Sequence, residues 1–165
     1  FHDRATVARQ WLANGGEATL RSYGLGTPAN PDETAVQLAD RCPAHVGALR
    51  DAGWKVETET HIFVHGGIDP TLPLAEQDPE ITRWIRDKFL SHTGALEKLV
   101  VHGHTVTASA LPEIYNNRIA LDTGAVNTGH LTCGVFLDGA EPRFLATDDH
   151  GSKIGVEEIR PLDFR

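Results

Sequence analysis

Two apolar runs that each stop at a histidine beside glycine constrain this chain more than anything else in it. They are His61-Ile62-Phe63-Val64-His65-Gly66-Gly67-Ile68-Asp69-Pro70 and Leu99-Val100-Val101-His102-Gly103-His104-Thr105. Short apolar runs bounded by glycine read as buried strands. A strand end holds an imidazole stiffly, and glycine beside it lets the backbone turn sharply and leaves room for an ion and a substrate. Neutral imidazole is the commonest protein metal ligand. The chain is therefore expected to fold around a sheet that delivers histidines to one edge. If those histidines share a metal, the protein is a hydrolase.

The rest of the pattern supplies such a sheet. The chain has 165 residues, enough for one domain with a real core. The first part, 1–53, reads as a helical flank. One helix runs from Asp3 to Ala13 and is ended by Asn14-Gly15-Gly16; Glu17 to Tyr23 is ambiguous, and Gly24 to Pro31 is a loop. Asp32 caps a second helix to Asp40, and Pro43 opens a third to Asp51. The middle part, 54–147, is strand-rich. Lys55 to Thr60 leads as a strand into His61–Val64, and a helix follows from Pro79 to Leu90 with Ile81, Trp84, Ile85, Lys88 and Phe89 as its apolar stripe. Further strands cover Leu96–Val101, Arg118–Leu121, Leu131–Leu137 and Arg143–Ala146, with Asp138-Gly139 turning a hairpin. The remainder, 148–165, reads as a polar, peripheral tail. Helices followed by strands imply an α/β layered sandwich.

Composition excludes several functions. The net charge of −8 repels nucleic acid and anionic membranes, and any phosphate-bearing substrate then needs a local positive centre from metal or arginine. No run approaches the roughly 18 apolar residues of a membrane span. Cys42 and Cys133 lack zinc-ribbon or redox spacing and read as free thiols in a reducing cytoplasm. The chain has no methionine, which reads as a sequence whose natural start lies upstream of Phe1.

Six residues are candidates for chemistry. His65 ends the first strand. His102 and His104 are two apart, so on a strand they share a face, and one ion could use either or both. Arg83 and Arg86 are three apart on the expected helix; a guanidinium there can grip two phosphate oxygens, although from spacing alone a solvated face beside Glu80 and Asp87 is the stronger reading. Asp122 follows the strand Ile119-Ala120-Leu121, where it could orient a ligating imidazole or simply cap its own turn. His2, His45, His92, His130 and His150 have no supporting pattern and read as surface residues. His61 lies about 13 Å from His65 by strand rise and is out of reach of the same ion.

Taken in order, Phe63-Val64-His65-Gly66-Gly67-Ile68-Asp69-Pro70, Trp84-Ile85-Arg86, Val101-His102-Gly103-His104-Thr105 and Leu121-Asp122-Thr123-Gly124-Ala125-Val126 resemble the phosphoprotein phosphatase family of metallophosphoesterases, in particular its bacterial and phage-type serine/threonine protein phosphatases. Trp11 to Gly16, through Tyr23-Gly24, resembles the same branch. The resemblance implies a calcineurin-like four-layer αββα sandwich with two divalent metal ions at the sheet edge, manganese first, with iron or zinc as alternatives. It implies that His65 and His104 ligate one metal, that Arg86 binds substrate phosphate, and that His102 and Asp122 stand behind the ligands. The substrate would be a phosphorylated protein or a small phosphoester, with no nucleic acid or membrane partner, in the cytoplasm. Three family motifs, Gly-Asp-x-His-Gly, Gly-Asp-x-x-Asp-Arg-Gly and Gly-Asn-His-Glu, do not occur in this sequence. They carry the other metal's ligands and the general-acid histidine, so the chain reads as the C-terminal portion of such a domain, inactive alone. A dinucleoside polyphosphate hydrolase shares these motifs. A phosphatase-like module that binds without turnover is the alternative of another class.

Overall fold

A computed structural model of the chain describes residues 3–26, 30–149 and 153–165. His2, His150 and residues 27–29 of the first loop lie outside the described residues. The chain divides into two compact units, Phe1–Ala52 and Gly53–Arg165. Among the described residues no helix is long and apolar enough to cross a membrane.

The first unit is helical, with α1 Arg4–Trp11, α2 Glu17–Ser22, α3 Pro31–Arg41 and α4 Pro43–Asp51. Asp3 starts α1 by accepting from the backbone N–H of Thr6 at 2.9 Å and from its hydroxyl at 2.6 Å. The Asn14-Gly15-Gly16 segment is a kink rather than a stop. Gly15 turns at φ 97°, and a Cβ at Gly16 would stand 2.6 Å from the Trp11 ring. The chain then re-enters a helix at Glu17, which resolves the ambiguous stretch. The cap of α3 is Asn30 rather than Asp32, because Pro31 takes the first helical position and the capping oxygen must precede it.

The second unit is built on strands β1 Lys55–Glu57, β2 His61–Val64, β3 Leu99–His102, β4 Glu113–Ile114, β5 Arg118–Ala120, β6 Thr132–Val135, β7 Arg143–Asp149, β8 Ile154–Ile159 and β9 Leu162–Asp163. Its short helices are α5 Pro79–Trp84, α6 Asp87–Leu90 and α7 Ala125–Thr128. One sheet has the order β1-β2-β3-β5-β4-β9, and a second has the order β6-β7-β8. Strands β2, β3 and β5 are parallel neighbours, in register Phe63 to Val101 and Val101 to Ile119. Their carboxyl ends therefore open at one edge, where open α/β sheets place their ligands.

Two apolar clusters hold the layers. Ile62, Val64, Ile68, Leu74, Phe89 and Val100 are buried together, with Ile85 and Leu90 packed on them, so α5 and α6 cover one face of the large sheet. Val101, Ile114, Ile119 and Phe144 form the second cluster, with Phe63, Phe136 and Ile159 against it, and join the large sheet to the small one. Burial of each such side chain contributes about 1.5–3 kcal/mol. The described elements of this unit thus form three layers, helix, sheet and sheet.

Three details differ from the sequence reading. Lys55–Thr60 does not run on as one strand. Thr58 turns the chain, its hydroxyl accepting from the His61 N–H at 3.0 Å, and β1 folds back antiparallel on β2. The expected helix Pro79–Leu90 breaks at Ile85 and Arg86, whose backbone leaves the helical region. The segment read as a peripheral tail is knitted in at both sheets, because β8 pairs with β7 and β9 with β4.

Candidate metal centre

Each parallel strand hands a side chain to the open edge. His65 follows β2 directly and is exposed. Past it, the Gly66 N–H donates to the Thr82 carbonyl at 2.8 Å, which binds this arm to α5. A Cβ on Gly66 would lie 3.0 Å from the Arg83 carbonyl oxygen, so glycine is what permits the approach. On the other side, the Gly103 N–H donates to the His65 carbonyl at 2.9 Å and ties the two histidine arms together.

The two candidate imidazoles after β3 part company. The strand ends at His102, and His104 takes φ 65°, the left-handed region that non-glycine residues seldom adopt. Strand parity therefore fails to hold them on one face. The His104 ring stands 4.9 Å from the His65 ring, centre to centre, and 5.5 Å from Trp84. The His102 ring is buried edge-on against Phe89 at 5.1 Å, with Nδ1 3.1 Å from the Gly103 carbonyl. Burial pushes the His102 pKa down to about 4. Burial also lowers the pKa of His104, aided by the Arg86 cation and by His65, with Asp122 opposing. Both shifts favour the neutral imidazole, the form that ligates.

The separation of His65 and His104 can be tested against a shared ion. With a metal–nitrogen bond of about 2.0–2.1 Å, each ring centre lies roughly 3.2 Å from the ion, and two ligand rings at right to tetrahedral angles lie roughly 4.5–5.2 Å apart. The observed 4.9 Å falls inside that span. His104 Nε2 is moreover buried without a hydrogen-bond partner, an arrangement that costs stability unless something binds the atom. The spacing of the two rings is compatible with one shared ion. Among the described residues, no group of three or more His, Cys, Asp or Glu is arranged to hold an ion.

Arg86 sits beside the pair because of the helix break. Its Nη1 donates to Thr105 Oγ1 at 3.1 Å, the residue after His104. Arg83 stays on α5 and pairs with Glu80 at 3.3 Å, so the two arginines do not act together. Asp122 Oδ1 accepts from the Gly124 N–H at 3.0 Å, the turn-capping arrangement, and makes no hydrogen bond to either imidazole; its charge acts on His104. His61 lies away from the edge, its ring against Phe136 at 5.3 Å. His45 meets the Tyr23 hydroxyl at 2.8 Å, and His130 Nδ1 the Thr147 carbonyl at 2.9 Å.

Sequence reasoning missed the brace behind this edge. Asp69, buried four residues after His65, accepts from Lys88 Nζ at 2.6 Å and from the N–H and hydroxyl of Thr71. Gln77 accepts from the Asp69 N–H and donates to its carbonyl. One ion pair thus links the His65 arm to the helix that follows Arg86. The Lys88 bond, followed by those of Thr71, lowers the Asp69 pKa from 3.8 to about 2. A depressed folded-state pKa gives stability that is complete above the unfolded value and lost as pH falls through the folded one. Asp69→Asn is therefore expected to unfold at lower urea than the parent at neutral pH, with the gap closing between about pH 4 and pH 2. Asp69→Ala should cost about 1–2 kcal/mol at neutral pH. A gap that stayed constant across that acid window would mean that the carboxylate's charge is idle.

Comparison with protein-family models, with curated proteins and with solved structures gives no match.

Proposed function

We propose that this chain carries part of the catalytic domain of a metal-dependent phosphoric monoester hydrolase, a serine/threonine protein phosphatase of the phosphoprotein phosphatase type. The observation that carries the reading is the His65–His104 ring pair, set at a metal-compatible 4.9 Å on two parallel strand ends. His65 and His104 would hold one divalent ion, manganese, iron or zinc. Such an ion, when bound, activates water and neutralises phosphoryl charge. Arg86 is the phosphate-gripping residue. Thr105 fixes one end of its guanidinium, which leaves the other N–H groups to hold phosphoryl oxygens in a planar fork. Neutral His104 keeps its lone pair for the ion.

A ligand set of two among the described residues favours a second reading, a phosphate-binding module without turnover. Metal-dependent binding of a phosphate ester separates both readings from an unrelated protein. With manganese present, Arg86→Ala should weaken p-nitrophenyl phosphate binding about 10–100-fold, the worth of hydrogen bonds to a charged partner. Arg86→Lys should fail to restore it, since an ammonium has no fork. The 165-residue chain itself should turn the ester over negligibly, and binding indifferent to both arginine variants would end the phosphate assignment.

A further inference from the structure

Behind the metal edge lies a separate cavity of about 180 Å³, walled by β4, β5 and the loop after His104. Three polar atoms on its lining residues, His102 Nε2, Thr107 Oγ1 and Arg118 Nε, are buried and have no hydrogen-bond partner among the described residues. The three residues are only 2%, 7% and 9% exposed. Each orphan costs about 1–3 kcal/mol, and native proteins rarely gather three in one place.

Arg118 is also pre-set. Its guanidinium lies 3.9 Å over the Tyr115 ring, and Nη1 donates to Asn117 Oδ1 at 3.2 Å, but it forms no ion pair among the described residues. A buried guanidinium held in no direct ion pair favours an anion. The opposite limit comes from Glu113 on the same wall. Its two oxygens are taken by the Ser109 hydroxyl at 2.8 Å and the Tyr115 hydroxyl at 2.6 Å, and its charge opposes a multiply charged guest. His102 adds a third condition. Its Nδ1 faces the Gly103 carbonyl and so carries the proton, which leaves Nε2 as an acceptor. The guest must bring a hydrogen to it.

We infer that this cavity binds a small monoanion that keeps a proton, the chemistry shared by bicarbonate and dihydrogen phosphate, with Arg118 and Thr107 donating to its oxygens and His102 accepting from its hydroxyl. The site is distinct from the His65–His104 pair and needs no metal. Thr105 belongs to both, since it lines the cavity and holds Arg86.

The test is an amide NMR titration of the metal-free 165-residue chain at near-neutral pH, where bicarbonate and dihydrogen phosphate are both present, with bicarbonate, phosphate and sulfate in separate arms. Saturable shifts at Thr107, Ala108, Tyr115 and Arg118 are expected with bicarbonate, phosphate or both, and the stronger arm identifies the source. Sulfate, which keeps no proton, should bind at least tenfold more weakly. Arg118→Gln should abolish the shifts. Thr107→Val, a smaller change on the same wall, should weaken binding severalfold with the spectrum otherwise intact, and keeps the test decisive if the arginine variant does not fold. Sulfate binding as tight as phosphate, shifts confined to His65, Arg86 and His104, or no saturable shifts in any arm would overturn the assignment.

Discussion

Replacing His104 is expected to abolish divalent-metal binding by this chain. The proposed ligand set is two imidazoles, so removing either leaves a lone histidine no better than one on any surface. Losing even an outer partner of a metal ligand costs 10–100-fold in affinity, and losing the ligand itself should cost at least about 100-fold. The left-handed backbone at His104 complicates an alanine substitution, because alanine tolerates φ 65° poorly. His104→Asn is the cleaner variant. Asparagine accepts that conformation, so the loss would report the imidazole rather than the turn. His65→Ala should give the same loss, and the double variant should be no worse than either single one, because the two act as a unit. His102→Ala should leave metal affinity within a few-fold while lowering stability, since its ring is packing against Phe89. Titration with cobalt, followed by its absorption, measures all four. Unchanged cobalt affinity in His65→Ala would separate the two rings and remove the basis of the phosphatase reading.

The apolar runs were legible because a buried parallel strand needs a continuous hydrophobic stretch, and β2, β3 and β5 have one. The abrupt histidine and glycine at each end made the edge legible too. What the pattern hid was local geometry. Helical periodicity carried Pro79–Leu90 through Ile85 and Arg86, yet the chain breaks there, and the break is what swings Arg86 onto Thr105. Period-two reasoning put His102 and His104 on one face, but parity ends with the strand, and the left-handed turn sends one ring to His65 and the other to Phe89. The polar sequence after Thr147 concealed β8 and β9 because exposed edge strands need little apolar surface. The Asp69–Lys88 brace and the Arg118 cavity depend on pairing between distant residues, which no spacing rule encodes.

The largest stability effect is expected at Phe89, and the argument turns on its contact with Gly67. Phe89 is fully buried, joins Ile62, Val64 and Val100 in the core, and props the His102 ring at 5.1 Å. Phe89→Ala should cost about 3–5 kcal/mol, read as a lower urea midpoint with an unchanged slope. Gly67 has φ 140° in the loop that follows His65, and a Cβ there would stand 2.3 Å from the Phe89 ring. Gly67→Ala therefore suffers twice, from a backbone conformation that L residues rarely adopt and from a collision that the packed core cannot relieve. Only the collision disappears when the ring is removed. The double variant should accordingly be less destabilised than the sum of the two single ones, by about 1–3 kcal/mol, while the backbone penalty persists. Strict additivity would mean that the loop moves away from the ring. In that case Gly67→Ala should also weaken cobalt binding, because the Gly66–Gly67 turn and the His65 ring beside it would shift together.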